Sequence, residues 1–245
     1  MALRQGLRPA LTILLLLAGA ALAACSYRGD IDNPTTLKAT WLSYLNGDDI
    51  RADCADNRRL HYRVIYNADY DAQVRSYEVI AGEGAGAGTA TLISRVQGPS
   101  GLVFNKHSLS DPLASVRWTK SVTDLSAEQL SRLDVALMQS GAFDPAPKGL
   151  QLFSKETYWI SNLCRDGVFS FSAWRFPSDR FDSISFDDVL FALDETGVAV
   201  RAPVAVPVGA SARANVPRLR ESDDARGNYF NVKVGENGLT SRLTF

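Results

Sequence analysis

The sequence predicts an α+β fold: a mainly antiparallel sheet with two or three helices packed on one face. Three observations lead there. Stretches with strand patterns, separated by turn-forming residues, fill the chain from Leu60 to Val122. A capped amphipathic helix follows over 125–141, and beyond it Asp166-Gly167 joins two further strand-like runs. Strands first, then helix, hairpin and helix, differ from the strict alternation of a parallel sheet.

At the N-terminus, Arg4 and Arg8 precede an apolar run over 10–21, and small residues follow. These are the parts of a secretory signal peptide over 1–24. The run is too short, and too soon followed by polar residues, to span a bilayer. The motif Leu22-Ala23-Ala24-Cys25 resembles the lipobox of bacterial lipoproteins. That resemblance implies a diacylglyceryl thioether on the Cys25 sulfur, cleavage before Cys25 and acylation, palmitate-like, of the new amino group. Several acyl chains on one residue hold a protein to a membrane more firmly than one chain does. An ordinary signal peptide with Cys25 placed by chance is the competing reading. Ser26 rather than Asp after the cysteine favours, by analogy with enteric bacteria, the outer membrane, with the body facing the periplasm. The expected partner is therefore the lipid bilayer, reached through acylated Cys25, with 25–33 as a lipidated tether.

Asn33-Pro34 reads as an N-cap followed by proline at the first helical position, and Leu37, Trp41, Tyr44 and Leu45 recur at helical spacing up to Gly47. The period then changes to two. Leu60, Tyr62, Val64 and Tyr66 share one side of a strand, His61, Arg63 and Asn67 the other, with Ile65 as the exception. Turn residues over 67–71 lead to a second strand over 74–81, a third over 89–96 and a fourth over 113–122. In the helix over 125–141, Ser126 caps, Gln129 completes a capping box and Leu130, Leu133, Ala136 and Leu137 form the buried stripe. Strands over 157–165 and 168–176 flank Asp166-Gly167. A helix over 185–195 buries Phe186, Val189, Leu190 and Leu193. The stretch 202–217 is extended and irregular, and a last hairpin runs over 229–234 and 239–245 around 235–238. One domain is expected over 34–200, with 201–245 packed on it.

With Cys25 consumed by lipid, Cys54 and Cys164 remain. In an exported chain an even pair reads first as a disulfide, ahead of free thiols, because neither lies in a Cys-x-x-Cys context. The bridge would tie the 157–176 hairpin to the segment entering the first strand.

From Ser76 to Thr196 the order of pieces resembles emfourin-type inhibitors of thermolysin-like metalloproteases. The matching pieces are Leu125-Ser126-Ala127-Glu128-Gln129-Leu130, Ala142-Phe143, the two-strand unit from Tyr158 to Gly167, and Pro177 before the closing helix. The resemblance implies a lipid-anchored protease inhibitor. It places no inhibitory residue, and the N-terminal helix, the cysteines and the tail from Val198 have no counterpart in it.

The charge balance points away from polyanions. Lys and Arg number 26 against 27 Asp and Glu, and loss of Arg4 and Arg8 makes the mature chain slightly more acidic. Nucleic acid is therefore not an expected partner. Gly82, Gly84, Gly86 and Gly88 lie in a loop that lacks the lysine of a phosphate-binding loop, and the run after it reads as strand rather than helix. They are read as a flexible contact loop. His61 and His107 have no metal-ligand spacing, so no metal or other cofactor is expected. Gly-x-Ser-x-Gly is missing from the sequence and no catalytic residue is nominated. Asp30, Asp32 and Asn33 begin like a calcium loop but fit helix capping better. Asp187-Asp188 suits a helix N-terminus, and Trp118, Trp159 and Trp174 read as core. The alternating C-terminus ending on Phe245 reads as a closing strand rather than a piece of membrane barrel.

Taken together, these features predict a non-catalytic, lipid-anchored envelope protein that binds an unknown envelope protein or supports an assembly. Its alternatives are the anchored protease inhibitor and an enzyme without a linear motif, which would need His61 or His107 in a cleft with a carboxylate and a hydroxyl. Whether a small molecule binds is left open.

Overall fold

A computed structural model describes residues 27–29, 31–70, 72–81, 89–98, 118–205 and 230–241. Cys25, the four loop glycines and His107 lie outside the described residues, as does the C-terminal Phe245.

The main sheet is antiparallel throughout, in the order β4-β3-β2-β1-β6-β7. Its strands are β1 (His61–Ala68), β2 (Val74–Ala81), β3 (Ala90–Gln97), β4 (Thr119–Leu125), β6 (Thr157–Arg165) and β7 (Val168–Arg175). A small sheet holds β5 (Gln151–Phe153), β8 (Asn231–Val234) and β9 (Leu239–Ser241) in the order β5-β8-β9. The helices are α1 (Pro34–Asn46), α2 (Asp48–Asn57), α3 (Ala127–Gln139), α4 (Asp179–Asp182) and α5 (Phe186–Ala192). The fold is α+β and mostly sheet, as expected. Absent from the sequence reading were α2, β5 and α4, and β4 begins six residues later than its pattern suggested, with 113–117 outside the described residues.

Both faces of the sheet are covered. On one, Tyr62, Val64 and Tyr66 of β1 and Trp159 of β6 pack with Leu133 and Leu137 of α3, Phe181 of α4, and Phe186 and Leu190 of α5. Of the helices expected from sequence, α3 and α5 lie on this face, together with the unforeseen α4. On the other, Ile65, Ile160 and Phe171 pack with Leu37, Trp41, Tyr44 and Leu45 of α1 and with Val232 and Val234 of β8. Two helices and the small sheet thus form a layer that the one-face expectation did not contain. Ile65 broke the polar alternation of β1 because its side of the strand is also core.

Local signals explain the joints. Asn33 Oδ1 accepts the N–H of Thr35 at 2.9 Å and of Thr36 at 3.4 Å, capping α1. Gly47 ends α1 at φ 63°, and a side chain there would lie 2.5 Å from Asn162 of β6, so both conformation and space require glycine. Asp166 and Gly167 adopt positive φ (54° and 82°), the geometry of a two-residue hairpin turn. At α3, Ser126 Oγ accepts the Gln129 N–H at 3.2 Å while Gln129 Oε1 accepts the Ser126 N–H at 2.9 Å. Ser126→Ala removes one side of this box and is expected to cost about 1 kcal/mol, read as a lower urea midpoint with an unchanged slope.

Cys54 of α2 and Cys164 of β6 form a disulfide with their Cα atoms 5.6 Å apart, closing a separation of 110 residues. Both are buried and pack with Ile50 and Phe169.

The segment before α1 departs from the expected tether. Tyr27 and Ile31 are buried, at 5% and 1% exposure. The Tyr27 N–H donates to Ser43 Oγ at 2.9 Å and its ring meets Tyr44 edge-on at 4.9 Å. The Ile31 carbonyl accepts from Trp118 Nε1 at 3.0 Å. Aromatic and aliphatic burial turns this stretch into part of the body.

Candidate functional site

Three features bring functional groups together, and the first grows from sheet register. On the face covered by α1 and α2, Arg63 of β1 lies opposite Glu78 of β2. Arg95 of β3 sits opposite Ser76, one step along, so that it reaches Glu78 diagonally. Glu78 Oε1 accepts from Arg63 Nη2 at 2.7 Å and lies 2.9 Å from His61 Nε2, while Oε2 accepts from Arg95 Nη1 at 3.0 Å. Arg63 also grips both oxygens of Asp49, at 2.8 and 2.7 Å, where the acidic first turn of α2 points toward the sheet. Its guanidinium lies 4.0 Å from the Tyr44 ring centre and 5.2 Å from that of Tyr27. Asp32 closes the cluster, accepting from Arg95 Nε at 2.9 Å and from Lys120 Nζ at 3.1 Å.

Arg63 is 1% exposed and Glu78 6%. Burial alone would raise the Glu78 pKa, but the Arg63 and His61 contacts outweigh it and hold the carboxyl well below the usual glutamate range. Burial likewise pushes the Tyr27 and Tyr44 hydroxyls up. The arrangement fastens three pieces to the sheet: α2 through Asp49, the segment before α1 through Asp32, and β3 through Arg95. His61 is committed to this cluster. Its sequence neighbourhood gave half of the signal, a histidine and an arginine alternating on one strand; the other half, Glu78, follows from the register set by the 67–74 turn.

The second feature lies across the opposite end of β1 and β2. Arg75 is fully buried and donates through Nη1 to Asp194 Oδ2 at 2.5 Å, through Nε to Gln73 Oε1 at 3.0 Å, and through Nη2 to the Val198 carbonyl. The Tyr77 hydroxyl donates to the same Asp194 oxygen at 2.8 Å. Burial would raise the Asp194 pKa, but hydrogen bonds from Thr196 and Tyr77 and the charge of Arg75 lower it. Residues 198–204 are strapped over this cluster.

The third is an open groove of about 500 Å³ between α3 and α5, lined by residues that include Glu128, Arg132, Val135, Gln139 and Val189. Val135 is 43% exposed and neighbouring Met138 47%.

Among the described residues no group of three or more metal-ligating side chains converges, and no helix is long and apolar enough to cross a membrane. Trp159 and Trp174 are core residues of the α3–α5 face, and Trp118 is buried on the other. Asp187 and Asp188 occupy the first turn of α5. Comparison with protein-family models, curated proteins and solved structures finds no match to this chain.

Proposed function

We propose that the protein is a lipid-anchored, non-catalytic component of a bacterial envelope that holds its α+β body against the membrane and binds another envelope protein. The observation that carries this reading is the placement of Cys25 at the end of Leu22-Ala23-Ala24, two residues before the buried Tyr27. Two residues span at most about 7 Å. An acylated Cys25 would therefore sit beside the body, whose contact with the lipid headgroups would be close and its orientation restricted. The engagement of His61 by Glu78, and of Asp194 by Arg75 and Tyr77, supports a structural use of the groups that chemistry would otherwise need. Ser26 after the cysteine favours, by analogy with enteric bacteria, attachment at the outer membrane facing the periplasm, and the Cys54–Cys164 disulfide agrees with export.

Cys25→Ser tests the anchor. In the host cell the wild-type chain is expected to partition into the detergent phase on temperature-induced phase separation, with the mass of an acylated N-terminus. The variant should move to the aqueous phase, unprocessed or cleaved without lipid. Equal partitioning of the two forms would overturn the anchor.

A further inference from the structure

Strand β4 is the last strand of the main sheet, and among the described residues no strand lies beyond it. Its side chains leave several interactions unspent. On one face Lys120, Val122 and Asp124 alternate, all exposed, Val122 at 57%. Strand β3 sets Arg95, Ile93 and Thr91 directly opposite them. Lys120 therefore stands beside a second cation, and the two share Asp32, whose Oδ2 accepts from Lys120 Nζ at 3.1 Å and Oδ1 from Arg95 Nε at 2.9 Å. Asp124 has the converse deficit. Among the described residues it meets no cation, and its Oδ1 accepts only the Thr91 hydroxyl, at 3.3 Å. Half-buried Ile93 and open Val122 form an apolar step between these charges. On the other face, Ser121 Oγ and Thr123 Oγ1 have no hydrogen-bond partner among the described residues.

The order Lys120-Ser121-Val122-Thr123-Asp124 is complementary to its own reverse. An antiparallel copy centred on Val122 sets Val122 opposite Val122, Lys120 opposite Asp124 and Ser121 opposite Thr123. The last two pairs each occur twice. Directly opposite residues favour unlike charges, hydroxyl pairs and β-branched pairs, and disfavour like charges. Because antiparallel ladders alternate hydrogen-bonded and non-hydrogen-bonded pairs, this register works whichever alternate set of β4 backbone groups points outward. Sliding the copy by two residues sets Lys120 or Asp124 against Val122. Sliding it by four sets Lys120 against Lys120 or Asp124 against Asp124. A lysine on an edge strand ordinarily discourages pairing. Here the aspartate four positions on confines pairing to one register and to a partner with the same sequence.

We infer that β4 pairs with β4 of a second copy about a two-fold axis at Val122, so that the two main sheets continue into one another. Across the joint, Ile93 and Val122 meet the Val122 and Ile93 of the copy in a single apolar row. Asp124 gains a cation, and the Arg95–Lys120 pair gains a second carboxylate. This self-association goes beyond the binding of another envelope protein and does not depend on the anchor.

Cysteine trapping tests it, in the full-length chain and in host-cell membranes oxidised with copper phenanthroline. Opposite residues of a strand pair lie within the Cα separation that a disulfide bridges. Val122→Cys is expected to give a covalent dimer whose peptide map contains a 122–122 bond. Glu236→Cys, in the turn between β8 and β9, is the control: the native side chain is 81% exposed, and little dimer is expected. In the Val122→Cys background, Lys120→Glu or Asp124→Lys sets like charges opposite each other at both ends of the joint. Each should lower the dimer yield about tenfold. The double exchange Lys120→Glu/Asp124→Lys should recover it. That exchange cannot restore the contact of Lys120 with Asp32 inside the chain, so recovery reports contact between copies. Thermal unfolding at the parent temperature shows that each variant is folded. Equal yields from 122 and 236 overturn the pairing, and a yield indifferent to the single charge changes overturns the register. A double exchange that stays as low as the singles overturns the joint, since the charges then act within one chain. An adduct from 122 to a different protein overturns the second copy as partner.

Discussion

Removing the Cys54–Cys164 bridge, as the double variant Cys54→Ala/Cys164→Ala, is expected to lower the unfolding free energy by about 4 kcal/mol. The bridge closes a separation of 110 residues, and the chain-entropy model gives about 4–5 kcal/mol for a loop of that length. The loop contains β1 to β4 and α3, so the cross-link limits nearly half of the chain in the unfolded state. The two buried alanines also lose sulfur packing against Ile50 and Phe169. Urea unfolding of wild type, of wild type with reductant, and of the double variant separates the contributions. The expected midpoints run from highest in the oxidised protein to similar, lower values in the other two. A double variant as stable as the oxidised protein would mean that α2 is held to β6 by packing alone.

Each expected strand and helix with described residues has a counterpart in the structure, because most carry their own punctuation. The capping box at Ser126 and Gln129, the positive-φ pair Asp166-Gly167 and the cap-and-stop pair Asn33 and Gly47 are local codes. Harder to read were elements whose stability comes from elsewhere. α2 follows α1 after a single glycine and contains Asp53, Asp56 and Asn57, with little apolar periodicity; Asp49 to Arg63 and Cys54 to Cys164 hold it. β5 has three residues and depends on β8, almost eighty positions later. The buried charges illustrate the same limit. Arg63, Glu78 and Arg95 each look like solvent-facing residues of a strand pattern. Only the second layer, built by α1 and by Tyr27 and Ile31, encloses them. Ile65 and the apolar Tyr27 and Ile31 were the visible hints that this face is not open to water.

Glu78→Gln should be the most damaging single change among the charged residues. It keeps the shape of the side chain but leaves Arg63 and Arg95 as buried cations sharing no carboxylate at their centre. Breaking a buried ion pair from one side costs about 3–5 kcal/mol. The lower end is expected here, because Asp49 still meets Arg63 and Asp32 still meets Arg95. Lys120→Ala is the contrast: its pair with Asp32 is 40% and 43% exposed, and surface pairs contribute about 0–1 kcal/mol. The wild-type pH dependence has a definite sign. An ordinary glutamate titrates near 4.5, whereas Glu78 in the folded state is held lower by Arg63 and His61 against the opposing effect of burial. The unfolded chain therefore takes up this proton first as pH falls. The contribution of Glu78 is complete above its ordinary value and is lost progressively below it. Between about pH 6 and pH 3 the urea midpoint should fall in the wild type and fall less in Glu78→Gln, which has no carboxyl at 78 to protonate. Parallel curves for the two proteins would show that the acid sensitivity resides in other carboxylates, with Asp194 under Arg75 the next to test by the same substitution.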